Sequence, residues 1–110
     1  MFGNTVEKIE KLAQKGHYDK IVEHLNDKNA AVRLAAIDAL GQCKDDVGFN
    51  ALVPLVHSAD RDVRIHTAQA LSVQKQPRAR AYLEHQLHSE QDPEVVKAID
   101  EALSKISNPD

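Results

Sequence analysis

The apolar residues of this chain recur at helical spacing, and one arrangement of them occurs three times. In each copy, a valine is followed at the fourth, seventh and eighth positions by side chains that share one helical face, because successive residues are about 100° apart. The three sets are Val32, Ala36, Ala39 and Leu40; Val63, Thr67, Ala70 and Leu71; and Val95, Ile99, Ala102 and Leu103. The valines lie 31 and 32 residues apart. Such a period is typical of stacked repeats, in which each unit buries its apolar face only against its neighbours.

Each of these helices has a start signal three residues before its valine. Asn29, Asp60 and Asp92 occupy that position, and such side chains accept hydrogen bonds from the free amides of a first turn. Pro93 then fits the first helical position of the third copy. Thr67 is the one polar residue on the apolar faces, and we expect its hydroxyl to bond a backbone carbonyl one turn earlier.

A second apolar stripe precedes each of these helices. The predicted first helices of the three units span 18–26, 49–58 and 77–89. Pro54 lies inside the second of them and should kink it or mark its first turn, because a proline within a helix deletes a hydrogen bond and clashes with the preceding turn. Another stripe, from Val6 to Ala13, ends at Gly16 and predicts an N-terminal capping helix.

The predicted fold class is therefore all-α, a right-handed α-solenoid of stacked antiparallel helix pairs with about seven helices. We expect one repeat domain over residues 1–110. Its predicted parts are a capping helix at 1–16, repeats at 17–47, 48–76 and 77–107, and a frayed tail at 108–110.

Composition and charge narrow the range of functions that the sequence allows. Of 110 residues, 42% are hydrophobic, but only two Phe and two Tyr are aromatic, so the core must be aliphatic. Acidic residues outnumber Lys and Arg by 17 to 14, whereas a nucleic-acid-binding domain needs a clustered basic surface. We interpret the short basic stretch of Lys75, Arg78 and Arg80 as a solvated loop and first helical turn.

The location follows from the cysteine content and the N-terminal segment. The single cysteine, Cys43, cannot form an internal disulfide, indicates a reducing compartment and should be buried or half-buried. The first residues include Glu7 and Glu10 and no long apolar run, unlike a signal peptide. No stretch reaches the ~20 apolar residues that span a bilayer. We therefore expect a cytoplasmic protein.

Two segments carry a family resemblance: DKNAAVRLAAIDALGQ and ADRDVRIHTAQALSVQ. They resemble HEAT repeats, and most closely the short variety of phycobilin (PBS) lyases and small bacterial proteins, with the pattern Asp-x-x-Val-Arg-x-x-Ala-x-x-Ala-Leu-Gly. The resemblance extends over about 17–106. Gly41 completes the pattern in the first unit, whereas Ser72 and Ser104 replace that glycine later and Val96 replaces the arginine.

The resemblance implies the fold much more strongly than the function. Proteins with similar repeats include bilin lyases and chaperones, peptide-binding scaffolds, subunits of complexes, DNA-glycosylase relatives and a di-iron hydroxylase. Fold analogy alone does not choose among them.

Six histidines raise the question of a metal site. The di-iron relatives use His-Glu pairs, but here the order is Glu23-His24 and Glu84-His85. His85 and His88 share a helical face, but a tetrahedral site would need a third ligand, for which His57 is a candidate. We interpret these histidines as solvated surface residues and predict no metal and no cofactor. No nucleophile motif or phosphate-binding glycine loop is present in the sequence, so no catalytic site is predicted.

Arg33 and Arg64 directly follow the first two valines. One interpretation is a basic row that clamps a ligand or partner. The interpretation that we favour is structural, with each guanidinium bonding an acidic side chain or a backbone carbonyl in a neighbouring turn, where Asp27, Asp60 and Asp92 are available.

Other side chains of the second helices should point away from the packed face. Two and six positions after each valine these are Leu34 and Asp38, Ile65 and Gln69, and Lys97 and Glu101, with Ile37 nearby at position five. In this fold type the second helices line the concave side, so Leu34, Ile37 and Ile65 are expected to form an exposed apolar strip rimmed by charge. Such patches often mark partner sites. The alternative is that packing between units covers them.

The predicted function is a non-enzymatic interaction module that binds a protein or peptide on this concave face. The predicted partner-binding residues are Arg33, Leu34, Ile37, Asp38, Arg64, Ile65, Gln69, Lys97 and Glu101. The alternatives are a chaperone or enzyme of the bilin-lyase kind and, less favoured, a nucleic-acid-binding protein. A homodimer through the apolar ends of the array is a further expectation.

Overall fold

The computed structural model describes residues 2–109, and the side chains of residues 5–109. Met1 and Asp110, at the ends of the predicted cap and tail, lie outside the described residues. Throughout residues 2–109 the regular secondary structure is helical. The α-helices are α1 (Phe2–Gln14), α2 (Tyr18–Val22), α3 (Ala30–Leu40), α4 (Asp46–Leu52), α5 (Arg61–Gln74), α6 (Ala79–Leu87) and α7 (Pro93–Lys105). A 3₁₀ segment directly follows α2 at Glu23–Asn26, and another follows α4 at Val53–His57.

The helices form two layers. The capping helix α1 packs beside α3 in the same row as the second helices α3, α5 and α7, and we count it with them. The first helices α2, α4 and α6 with their 3₁₀ segments form the other layer. Each first helix also packs against the second helix of its own unit. The predicted α-solenoid is thus confirmed.

The core lies between the two layers and follows the repeated pattern. Eleven of the twelve predicted core positions are buried, and Leu103 is half-buried. Leu103 belongs to α7, against whose outer side no further helix packs in the described part of the chain. Ile21, Leu52 and Leu83, one from each first helix, are also fully buried and close the core from the opposite side.

The predicted helix starts and the predicted stop are confirmed by hydrogen bonds. The Asn29 side chain accepts from the amide of Ala31 at 2.9 Å, and Asp60 and Asp92 do the same for α5 and α7. At the end of α1, Gly16 has a φ of 75°, which glycine adopts without strain. The amides of Gly16 and His17 donate to the carbonyls of Ala13 and Leu12 at 3.0 and 2.9 Å, which is the Schellman arrangement.

The first helices differ from the prediction. In the second unit the α-helix begins earlier, at Asp46, and ends at Leu52, where Pro54 takes an early position in a 3₁₀ segment. Its missing amide is harmless there because the first turn has no internal partner for it. The first unit makes the same change to 3₁₀ without a proline, whereas α6 is continuous.

Two residues of the second helices mark tight contacts between units. A Cβ on Gly41 would lie 3.1 Å from both the Cα and the carbonyl oxygen of Ala70, so glycine lets α3 approach α5 without displacing this backbone. The Thr67 hydroxyl is fully buried and has no hydrogen-bond partner. The predicted bond to a carbonyl one turn earlier is therefore wrong.

Candidate functional site

Six of the nine predicted binding residues lie on the solvent-facing surface formed by α1, α3, α5 and α7, which we call the second-helix face. Asp38, Gln69, Lys97 and Glu101 are exposed on it. Leu34 and Ile65 are half-buried and pack against the core while keeping part of their surface in solvent. These six residues therefore share one face of the solenoid.

The predicted exposure of Ile37 is wrong. Only 1% of this residue is accessible. Ile37 lies one turn before Gly41, on the side of α3 where Gly41 meets Ala70 of α5. Packing between units therefore covers position five, and the expected exposed apolar strip is reduced to two half-buried residues, Leu34 and Ile65.

The two arginines bond backbone carbonyls of the turn before their own helix. The Nη1 atom of Arg33 donates to the carbonyls of Asp27 and Lys28 at 2.8 and 3.1 Å. In the next unit the Nη1 atom of Arg64 donates to those of Ser58 and Ala59 at 2.8 and 3.2 Å. These contacts agree with the structural interpretation, although the turn belongs to the arginine's own unit.

Arg64 also bonds a buried carboxylate that sequence reasoning missed. Its Nε and Nη2 atoms donate to the two carboxylate oxygens of Glu90 at 2.9 and 3.2 Å, and only 3% of the Glu90 side chain is exposed. Burial disfavours the charged form of Glu90, but hydrogen bonds from Arg64, Gln86 and the Asp92 amide outweigh it and lower the pKa below its ordinary value. Arg64 thereby links the turn of the second unit to the turn of the third.

A weak sequence signal for Glu90 existed. Asp27, Ser58 and Glu90 each stand two residues before a helix-capping residue, and each side chain accepts the amide hydrogen of that residue. The repeated turn position was visible in the sequence. Its pairing with an arginine 26 residues away was not, because that contact depends on how the units stack.

The boundaries between neighbouring helices on the second-helix face differ: one is bridged by a side-chain contact, and two are open grooves. Between α3 and α5, His66 Nδ1 and Asp38 Oδ1 are 2.8 Å apart, so their side chains bridge the two helices. Between α1 and α3 a groove of about 490 Å³ opens. Its lining residues are Val6, Glu10, Ala13, Gln14, Ala35, Asp38, Ala39 and Gln42.

A smaller groove of about 170 Å³ lies between α5 and α7. It collects four of the predicted residues, Ile65, Gln69, Lys97 and Glu101, together with Glu94 and Ala98. The structure thus brings these four together, while Asp38 belongs to the α1–α3 groove and Arg33 and Arg64 are engaged at the turns.

Two residues of the short basic stretch, Arg78 and Arg80, make contacts within the protein. Arg78 lies 4.0 Å from the centre of the Phe49 ring and pairs with Asp46. Arg80 Nη1 donates to the carbonyls of Leu103 and Ile106 at 2.7 and 2.6 Å, which caps the end of α7. These arginines are therefore not a free basic surface.

Three histidines lie close together in the layer of first helices. The rings of His57 and His85 are 6.1 Å apart, and those of His85 and His88 are 6.3 Å apart. His57 Nδ1 lies 2.7 Å from Gln86 Oε1. Over the residues that the structure describes, no group of three or more His, Cys, Asp or Glu side chains is arranged to hold a metal ion.

Cys43 is buried, as expected. Its thiol lies 3.0 Å from Asp45 Oδ1. Burial and this hydrogen bond raise the pKa of the Cys43 thiol, which disfavours the reactive thiolate.

Stacked helix pairs with a grooved second-helix face define a repeat fold of the α-solenoid class. Residues 18–104 match the family described as HEAT repeats. The match covers most of the chain, and the chain therefore belongs to the HEAT-repeat family. No curated protein matches it. None of the helices in the described range has the length and apolar content needed to span a membrane.

Proposed function

We propose that this HEAT-repeat protein is a non-enzymatic interaction module that binds a protein or peptide along its second-helix face. The observation that carries the proposal is the position of the two grooves, since both lie between second helices and both combine apolar and polar lining residues. Partner sites typically combine an apolar centre with a polar rim. A cytoplasmic location is part of the same proposal.

The proposed binding set is smaller than the sequence indicated. Leu34 and Ile65 supply apolar contact area, and Asp38, Gln69, Lys97 and Glu101 supply polar contacts that set orientation and choice of partner. Ile37 is removed from the set because it is buried. Arg33 and Arg64 act on the surface indirectly, by holding the turns that position α3 and α5.

The alternatives receive less support from the same surface. A bilin lyase of the kind that carries similar short repeats needs a site for a large flat chromophore, and the described lining of the larger groove is made of aliphatic, acidic and amide side chains. A nucleic-acid interface needs free cations, whereas Arg33, Arg64, Arg78 and Arg80 are engaged inside the protein. A homodimer through the ends of the array stays a separate proposal.

The test compares one substitution on the second-helix face with a matched substitution on a first helix. Partners captured from native cells and identified by mass spectrometry are purified and titrated against the wild type, Gln69→Arg and Asn50→Arg. Each substitution replaces an exposed helical residue that has an amide side chain by arginine. Gln69 lies in α5 on the second-helix face, whereas Asn50 lies in α4.

We expect Gln69→Arg to weaken binding and Asn50→Arg to leave it unchanged. Loss of binding with Asn50→Arg alone would place the partner on the first helices and contradict the proposal. Turnover of a captured small molecule would contradict its non-enzymatic part.

A further inference from the structure

The groove between α1 and α3 owes its width to small side chains. Ala13 on α1 and Ala35 and Ala39 on α3 face the space between the two helices, with Val6 beside them. Alanine side chains leave room where longer ones would meet, so a volume of about 490 Å³ stays open to solvent. That volume is in the range of small binding sites.

Acidic and amide groups surround this apolar floor. Glu10 and Asp38 are exposed, one on each helix, and Gln14 and Gln42 lie further along the groove. The described residues that line the groove include two carboxylates and no Lys, Arg or His. The groove therefore presents two carboxylates next to an apolar surface: Glu10, and Asp38, whose Oδ1 atom also contacts His66.

The other two seams between second helices differ from this one. The α3–α5 seam is bridged by the contact between His66 and Asp38. In the α5–α7 groove, Lys97 stands beside Glu94 and Glu101 and offsets one of these two charges, and the volume is about a third as large. Of the two grooves, the one between α1 and α3 is the larger, and its described lining carries carboxylates without a lysine or arginine. Its α1 wall also lies outside residues 18–104, which the family pattern covers.

We propose that the α1–α3 groove binds a lysine- or arginine-bearing segment of a protein partner, a specification that rests on the proposed function. The aliphatic stem of a basic side chain can lie on the alanine floor while its charged end stays at the rim. There the ammonium or guanidinium group donates charge-assisted hydrogen bonds to Glu10 and to Oδ2 of Asp38, the oxygen that does not contact His66. Shape and charge together then select a cationic segment over a neutral or acidic one.

The experiment selects ligands without assuming a partner. A phage-displayed library of random 12-residue peptides is panned on the immobilised protein, and the enriched peptides are synthesised and titrated by fluorescence anisotropy. The variants are Glu10→Lys, which reverses charge at the rim, and Ala35→Leu, which fills the floor without changing charge. Glu23→Lys is the control, because it makes the same charge change at an exposed residue next to α2. Circular dichroism verifies that each variant is folded.

We expect the enriched peptides to carry a net positive charge, and both groove variants to weaken their binding by about tenfold or more, while Glu23→Lys changes it by less than about twofold. Neutral or acidic enriched peptides, or basic peptides that bind Ala35→Leu as tightly as wild type, would overturn the groove proposal and leave the proposed function standing. Enrichment of no peptide, together with failure to capture any protein, would overturn the proposed function itself.

Discussion

The contact between Arg64 and Glu90 gives the sharpest prediction about what holds the units in register. The perturbation is Arg64→Val, and the matched control is Arg33→Val. Valine is the natural residue at the corresponding position of the third unit, Val96, so the helix accommodates it. Both variants lose two hydrogen bonds from an arginine to turn carbonyls.

The difference between the two variants comes from the carboxylate. Arg33→Val removes hydrogen bonds alone and should lower the free energy of unfolding by about 1–2 kcal/mol. Arg64→Val also leaves the Glu90 carboxylate, 3% exposed, without its cation. Removing one partner of a buried ion pair typically costs about 3–5 kcal/mol. Because the Gln86 side chain and the Asp92 amide still bond Glu90, we expect the lower part of that range.

Urea denaturation followed by circular dichroism measures these changes. With a slope of about 1.5 kcal/mol/M, a loss of 3 kcal/mol lowers the midpoint by about 2 M, and a loss of 1–2 kcal/mol by about 1 M. Replacing Glu90 by Gln in the Arg64→Val background removes the stranded charge and should recover part of the loss. Equal midpoints for Arg33→Val and Arg64→Val, or no recovery on adding Glu90→Gln, would refute this account of the link between units.

Three further predictions concern stability. Thr67→Val should raise the free energy of unfolding by about 1 kcal/mol, because it replaces a buried hydroxyl without a partner by a methyl group of similar size; a fall in the denaturation midpoint would contradict it. Gly41→Ala should lower stability by about 1–3 kcal/mol, because the new Cβ meets backbone atoms of Ala70 at 3.1 Å, whereas Ser104→Ala at the corresponding exposed position of α7 should have little effect in the same assay. Arg61 holds the pKa of Asp92 at about 2, below the ordinary 3.8, so this carboxylate stabilises the fold above about pH 4 and its contribution is lost as the pH falls towards 2. Asp92→Asn keeps a helix-capping side chain and should flatten the decline in stability between pH 5 and 2; an unchanged acid profile would argue against this role for Asp92.

The second helices were predictable because their signals are local. The capping residue, the valine and the apolar positions that follow all lie within twelve residues of one another in the first copy, from Asn29 to Leu40. The capping residue marks where the helix begins, and the spacing of the apolar residues marks which face is buried. The stacking then follows from the repeat period.

The first helices were less predictable because their ends depend on tertiary contacts. Pro54 signalled a disturbance, but the same change to 3₁₀ geometry at Glu23–Asn26 has no proline to announce it. The start of α4 at Asp46 was also missed. The Asp45 side chain caps this helix by accepting from the Val47 amide at 3.0 Å. The apolar stripe used for the prediction begins only at Phe49.

The surface was predicted only in part for a geometric reason. Helical angles place Ile37 away from the core of its own unit, but they contain no information on where the next unit lies. The close contact of Gly41 with Ala70 turns that side of α3 into an interface. The α1–α3 groove was likewise invisible, since it depends on which alanines of two separate helices face each other.

Nuclear magnetic resonance mapping tests the central claim, that partners dock on the second-helix face, most directly. Amide shifts of the ¹⁵N-labelled protein are followed while an enriched peptide or a purified partner is added. The account predicts the largest shifts along α1, α3, α5 and α7, at residues lining the two grooves, with small shifts at exposed residues of α2, α4 and α6. Shifts concentrated on those first helices, around His57, Tyr82 and His85, would contradict it.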